Sequence, residues 1–320
     1  MGVHREDRLE GQAALVTGSS RGLGLLTARE LARRGCAVML CARDAAELAR
    51  AERFVGEAGG RVASVAADLT APDAARRVVD ATKDAFGSLD VLVNNAGLIQ
   101  VGPLGATTED DFRSAMELMY FAPLRLTLAA LEGMRERGRG RIVNVSSIGG
   151  RIPAPHLLPY DAAKFAAAGL SEGLRAELAR EGISVTTVLP GLMRTGSHTA
   201  ARFSGQAERE YAWFATAAAL PLLSMDAERA ARAIVRAAER RRPELVLTVP
   251  AKAAVRLHGV APATTTRVLS VAARLLPGPG EEPQRLVPGH VAARRAASPV
   301  LGRLTVLNDR AARRYNQHAA

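Results

Sequence analysis

Tyr160 and Lys164 stand four residues apart in the run Tyr-Asp-Ala-Ala-Lys, a spacing that puts both side chains on one face of a helix. A free phenol titrates near 10, too high to trade protons near neutrality. A neighbouring ammonium favours the phenolate and lowers that value, which suits the pair to general acid and base work. A second chemically suggestive stretch is Thr17-Gly18-Ser19-Ser20-Arg21-Gly22-Leu23-Gly24. Glycines let a backbone approach a diphosphate, and the N-terminus of a following helix stabilises its charge. No Cys/His cluster has metal-ligand spacing, so no metal is expected.

These residues need strands and helices to hold them. Short apolar runs at Ala13 to Thr17, Val38 to Ala42, Val62 to Ala66, Val91 to Val93, Arg141 to Val145, Val185 to Leu189 and Leu245 to Val249 have strand length. Helical stretches separate them: Leu23 to Arg34, Ala45 to Val55, Ala74 to Phe86, one long helix from Glu109 to Glu136, Tyr160 to Arg180, and Glu228 to Arg240. Such alternation predicts an α/β fold, a Rossmann-type doubly wound, mostly parallel seven-stranded sheet with helices on both faces. Its ligand crevice lies at the C-terminal ends of the strands. Past Pro250 the alternation stops. The expected division is a catalytic domain over 1–250 and a basic, helical extension over 251–320, with one or two helices in 251–276 and a turn-rich break at Pro277 to Pro283.

The form TGxxxGxG of the glycine loop resembles the fingerprint of short-chain dehydrogenases/reductases. Three further motifs fall in that family's order: Asn94-Asn95-Ala96-Gly97, Ser147 with Tyr160-xxx-Lys164, and Pro190-Gly191 with Thr195. The resemblance spans about residues 10 to 250. It implies an oxidoreductase that interconverts a ketone or aldehyde and an alcohol by hydride transfer. Tyr160 would be its acid and base, Ser147 would hydrogen-bond the substrate oxygen, and Lys164 would also hold the nicotinamide ribose. The cofactor-binding set it implies is Gly18, Ser20, Arg21, Gly22, Leu23, Gly24, Arg43, Asp68, Leu69, Asn95, Ala96, Gly97, Tyr160, Lys164, Pro190, Gly191 and Thr195. A homodimer or homotetramer paired through the long helices is implied as well.

The choice of cofactor has a physical handle. An acid at the end of the second strand would accept hydrogen bonds from a free ribose 2′-hydroxyl and repel a 2′-phosphate. Here the chain reads Cys41-Ala42-Arg43, with no acid until Asp44. Arg43 and Arg21 can make charge-assisted bonds to a phosphate, so NADP(H) is expected. One position departs from the family: Met119 stands where its fourth catalytic residue, an Asn, belongs. A thioether donates no hydrogen bond, which predicts a reduced rate. A competing reading is a non-catalytic NADPH-binding sensor or scaffold.

Leu98, Ile99, Ile152, Leu157, Leu158 and Met193, with a lid through Phe203, Tyr211, Trp213 and Phe214, are expected to wall an apolar small-molecule substrate. His156 and His198 are expected at the periphery. Of the net charge of +11, eight arise between Lys252 and Arg314, where eleven basic residues face three acidic ones. Three readings compete for this region: packing on the cleft or another subunit, peripheral contact with an anionic membrane through residues 251–276, and nucleic acid. The last is set aside because no aromatic residues interleave with the arginines before Tyr315. Cys36 and Cys41, the two cysteines, imply no disulfide framework and a reducing compartment. With no signal-like N-terminus and no spanning apolar run, a cytoplasmic protein is expected. Gly2 does not read as a myristoylation site, because Glu6 stands where that motif wants Ser or Thr.

Overall fold

A computed structural model of the protein describes residues 8–220 and 224–315; the reading at Gly2 and Glu6 lies outside them. Seven strands form the main sheet: β1 (Ala13–Thr17), β2 (Ala37–Ala42), β3 (Val62–Ala66), β4 (Val91–Asn94), β5 (Gly140–Val145), β6 (Ile183–Leu189) and β7 (Glu244–Val246). Every pairing is parallel, in the order β7-β6-β5-β4-β1-β2-β3. The chain order reverses between β1 and β4. Connections there run to opposite faces, which opens a crevice at the strands' C-terminal ends.

Helices α1 (Gly22–Arg33), α2 (Ala45–Gly56) and α8 (Ala227–Glu239) cover one face. On it Val16, Val38 and Leu40 meet Leu25, Leu31, Leu48, Val55 and Ile234. The opposite face carries α3 (Ala74–Phe86) and α5 (Ala122–Glu136), where Leu15, Leu92 and Ile142 meet Val78, Val79, Leu126 and Met134. Val16 and Leu15 serve opposite cores because successive strand residues point to opposite faces. Full burial of each such aliphatic side chain contributes roughly 1.5–3 kcal/mol.

The long helix expected from Glu109 to Glu136 is instead two. α4 (Glu109–Met116) and α5 are joined by a π-helical segment, Glu117–Phe121. Pro123 supplies the reason: it has no N–H to give the Met119 carbonyl four residues back, and its ring crowds that carbonyl, so the turn widens. A second correction concerns the last strand, expected to run to Val249. The Thr248 side chain caps the next helix by accepting the Ala251 N–H, and β7 ends at Val246.

α6 (Leu158–Glu177) flanks β6 and α4. Beyond it a satellite lobe rises over the crevice. The two-residue strand Arg202–Phe203 pairs parallel with Gln100–Val101 and antiparallel with Val287–Pro288. Phe203, Tyr211 and Phe214 form its core with Val287 and Ala292, drawing on α7 (Ala207–Ala219) and α11 (Gly289–Arg295). The extension supplies α9 (Val249–Val260), α10 (Pro262–Ala273), α11 and α12 (Pro299–Arg314). α12 lies along α7, and Ala311 and Tyr315 at its end join the core under α1 and α8.

Candidate active site

The glycine loop follows β1 and is fixed from three sides. Ser19 donates its N–H to the Cys41 carbonyl and its hydroxyl accepts the Cys41 N–H at 2.9 Å, tying the loop to the end of β2. The Thr17 hydroxyl donates to the Val93 carbonyl and accepts the N–H groups of Asn95 and Ala96 at 2.9 and 3.1 Å. This joins β1 to β4 at the reversal point. The Asn95 amide donates to the carbonyls of Thr17 and Gly18. Gly18 has a φ of +62°, and a Cβ at Gly24 would lie 2.2 Å from the Gly18 carbonyl oxygen. Only glycine fits this close approach of helix to strand. The loop holds the start of α1 beside the crevice, where the helix N-terminus favours an anion.

At the other end, Ser147 lies just past β5, and α6 carries Tyr160, Asp161 and Lys164. Ser147 lies beside the Tyr160 phenol, close enough for its hydroxyl to favour the phenolate by hydrogen bonding. Burial pushes that phenol up to about 12, the Ser147 bond pulling the other way. Lys164 donates to the Val145 carbonyl at 2.8 Å, its Nζ is 5.7 Å from the centre of the Tyr160 ring, and burial lowers it to about 8. The expectation that Lys164 depresses the phenol is not met in this arrangement. Desolvation dominates both groups, and the ammonium is turned to the end of β5.

Met119 is buried with Ala115 and Ala163, against Leu98 and Tyr160. A methyl placed on Gly97 would lie 3.4 Å from its Sδ and 3.7 Å from the Lys164 Nζ. Thioether and amine thus both border Gly97. Sequence reasoning missed Asp161. Its carboxyl is buried and accepts the Ala154 N–H through Oδ2 at 2.6 Å. Desolvation raises it to about 8, outweighing that bond.

A single cleft of about 1760 Å³ runs between the two ends. Gly18, Ser20, Arg21, Gly22, Leu23 and Gly24 line it, as do Arg43, Asp68, Leu69, Asn95, Ala96 and Gly97, then Ser147, Tyr160, Lys164, Pro190, Gly191 and Thr195. Of the expected substrate wall, Leu98, Ile99, Leu157, Met193, Trp213 and Phe214 line it too. Phe203 and Tyr211 do not; they are core residues of the satellite lobe. Leu158, at the start of α6, is exposed, and Ile152 lies outside the lining. His156 and His198 also lie outside it. His156 bonds the buried Glu210, which accepts the Trp213 indole N–H as well, and His198 bonds Asp309 of α12. Both histidines thus brace the lobe.

Two further groups emerge only in three dimensions. Glu47, in the first turn of α2, reaches back to the glycine loop, accepting the Ser20 hydroxyl at 2.8 Å and pairing with Arg21 at 3.4 Å. Pro250, Ala251, Ala254, Ala272 and Leu276 of the extension close the far wall. The Asp44-xx-Glu47 spacing was a visible helix-start signal, but nothing in it announced a contact with Ser20.

Residues 12–204 match the short chain dehydrogenase family. The chain is 36% identical over 187 residues to the 3-oxoacyl-[acyl-carrier-protein] reductase FabG of Vibrio cholerae, covering 58% of this chain and 75% of that protein. It is 35% identical to the gluconate 5-dehydrogenase of Gluconobacter oxydans, covering 58% and 73%. Among solved structures, the L-sorbose reductase of Gluconobacter frateurii complexed with NADPH and L-sorbose superposes with a TM-score of 0.67 at 28% identity, covering 74% of this chain and 95% of that one. The sheet order, the glycine loop and the family match lead to one conclusion: this chain belongs to the short chain dehydrogenase family.

Proposed function

We propose that the chain is an NADP(H)-dependent oxidoreductase interconverting a carbonyl and an alcohol on an apolar small molecule. The observation that carries this reading is the continuity of one cleft from the glycine loop to Ser147, Tyr160 and Lys164. Its volume exceeds the roughly 300–1,000 Å³ of an ordinary small-molecule site, leaving room for a dinucleotide and a second molecule. The glycine loop lining the cleft at the start of α1 fits a diphosphate. Arg43 fits a 2′-phosphate at the end of β2, Asp68 and Leu69 the adenine, and Asn95 to Gly97 with Pro190 to Thr195 the nicotinamide half. When bound, the cofactor supplies or accepts the hydride.

The chain's own residues then manage the proton and the geometry. Ser147 orients the substrate oxygen, and Tyr160 gives that oxygen a proton or takes it back. Lys164 holds the ribose, and its charge offsets the cost of a buried phenolate once it turns from the Val145 carbonyl. The L-sorbose reductase, solved with NADPH, supports the cofactor assignment. Leu98, Ile99, Leu157, Met193 and Trp213 support an apolar substrate. Exposed Leu128 on α5 and Phe165 on α6 support the pairing of copies through these helices.

The test is NADPH consumption across a broad panel of ketones and aldehydes. A Tyr160→Phe variant is expected to lose on the order of 10²–10⁴-fold in turnover while still binding NADPH. Tight NADPH binding with no turnover on any carbonyl would instead favour the sensor or scaffold reading, which the thioether of Met119 beside Gly97 supports.

A further inference from the structure

α9 and α10 form a helical pair braced by a His258 Nδ1 to Thr265 hydroxyl contact at 2.6 Å. α9 buries Ala251 alone and α10 buries nothing, so packing within the chain leaves their apolar residues unexplained. On α10, Val268 and Val271 recur at i and i+3, on one side of the helix, and Leu275 follows just past its end. They are 64%, 61% and 86% exposed. Arg267 and Arg274 run along its edge. On α9, Val249, Leu257 and Val260 make a second exposed stripe, edged by Lys252 and Arg256. Single exposed aliphatic residues are ordinary; two adjacent stripes edged by cations are not.

We propose that the α9–α10 pair docks on an anionic lipid surface, its aliphatic stripes at the headgroup–acyl boundary and its basic edge on the headgroups. Charge selects this occupant. From Leu245 to Gly280 the chain carries four basic residues and no acidic one. A second copy of the same face would oppose cation to cation. A protein partner is disfavoured because the segment holds no Phe, Tyr or Trp, the aromatic anchors on which protein interfaces concentrate their energy. Among the described residues no helix is long and apolar enough to cross a membrane, so the contact is peripheral. Ala251, Ala254, Ala272 and Leu276 line the cleft, and Ala272 lies one turn from Val268 on the same side of α10, so docking would set the cleft mouth against the lipid. Entry of an apolar substrate from the bilayer rests on the oxidoreductase reading; docking does not.

The test is co-sedimentation of the full chain with vesicles of phosphatidylcholine alone or mixed with phosphatidylserine. The mixed vesicles are expected to pellet the protein at least about ten-fold better, and salt should release it, because its Arg and Lys contacts are screened. Arg267→Gln with Arg274→Gln, and separately Val268→Asp with Val271→Asp, should each cut pelleting about ten-fold, with circular dichroism and NADPH binding unchanged. Equal pelleting with both vesicle types, or folded variants that pellet like the parent, would overturn the proposal. So would self-association that the variants abolish without any vesicle binding. No readout uses turnover, so failed docking and a failed oxidoreductase reading are told apart.

Discussion

The backbone carbonyl of Tyr315 accepts the Gly22 N–H at 3.0 Å, so the end of α12 is hydrogen-bonded to the loop that begins α1. The Tyr315 ring is buried in the same core as Leu25 and Leu31 of α1. Anchoring of this ring is what places the carbonyl. The extension thereby supports the cofactor end of the cleft as well as the substrate end.

Tyr315→Ala removes the anchor while leaving a carbonyl in the chain. Truncation of a buried aromatic costs roughly 3–5 kcal/mol, so the melting temperature should fall. Binding of NADPH, measured by titration calorimetry, should become several-fold weaker. Tyr315→Phe keeps the ring and should bind as the parent does; unchanged affinity in the Ala variant would separate the two ends of the molecule.

Cofactor discrimination should divide between Arg43 and Glu47. Glu47 pairs with Arg21 and the Ser20 hydroxyl, which places a carboxylate near the expected 2′-phosphate. Arg43→Ala should therefore lower the ratio of kcat/KM for NADPH over NADH about ten-fold, the loss of one charge-assisted contact. Glu47→Gln should raise that ratio by removing repulsion. A ratio indifferent to both substitutions would move the phosphate away from this corner.

Asp161 makes a pH prediction whose sign is fixed by its burial. Its folded value, about 8, lies above the roughly 3.9 of an unfolded chain. The native state therefore holds the extra proton, and stability falls as pH rises from about 4 to about 8. Above that window the carboxylate also raises the Tyr160 phenol. Asp161→Asn should gain thermal stability over the parent progressively between about pH 4 and 8, and the alkaline fall of kcat/KM for carbonyl reduction should move downward, because the phenol loses a charge that raises it. Parallel melting curves across that range would show that the carboxyl is not held neutral.

Met119→Asn should trade stability for rate. An amide among Ala115, Ala163 and Leu98 costs about 1–3 kcal/mol if it stays unpaired. It would also put a hydrogen-bonding group beside Gly97, which Lys164 borders too, and turnover is expected to rise several-fold. If kcat stays level while the melting temperature drops, proton transfer does not pass this position.

Much of this site could be read along the chain because its parts are local. Gly18, Asn95, Ser147 and Pro190 each sit in the few residues following a strand, so finding the strands placed them together. The π-helical turn at Glu117–Phe121 was within reach as well, since Pro123 announces the missing N–H. Phe203 and Tyr211 were misplaced for a different reason. Hydrophobicity marks them as buried, but only the pairing of Arg202–Phe203 with Val287–Pro288 decides that they face a core and not the cleft. Glu47 and Asp161 depend likewise on tertiary approach: one folds back across a loop, the other is sealed by the segment around Ala154.

That ribbon of two-residue strands also sets a timetable for synthesis. Val287 emerges about eighty residues after Phe203, which at 5–20 residues per second is a delay of roughly 4 to 17 seconds. Throughout it the nucleotide half, whose β1 to β4 pairings are already translated, can assemble. The roof over the substrate stays unfinished until its last strand arrives, so a nascent chain would be able to grip its cofactor before it can enclose anything to reduce.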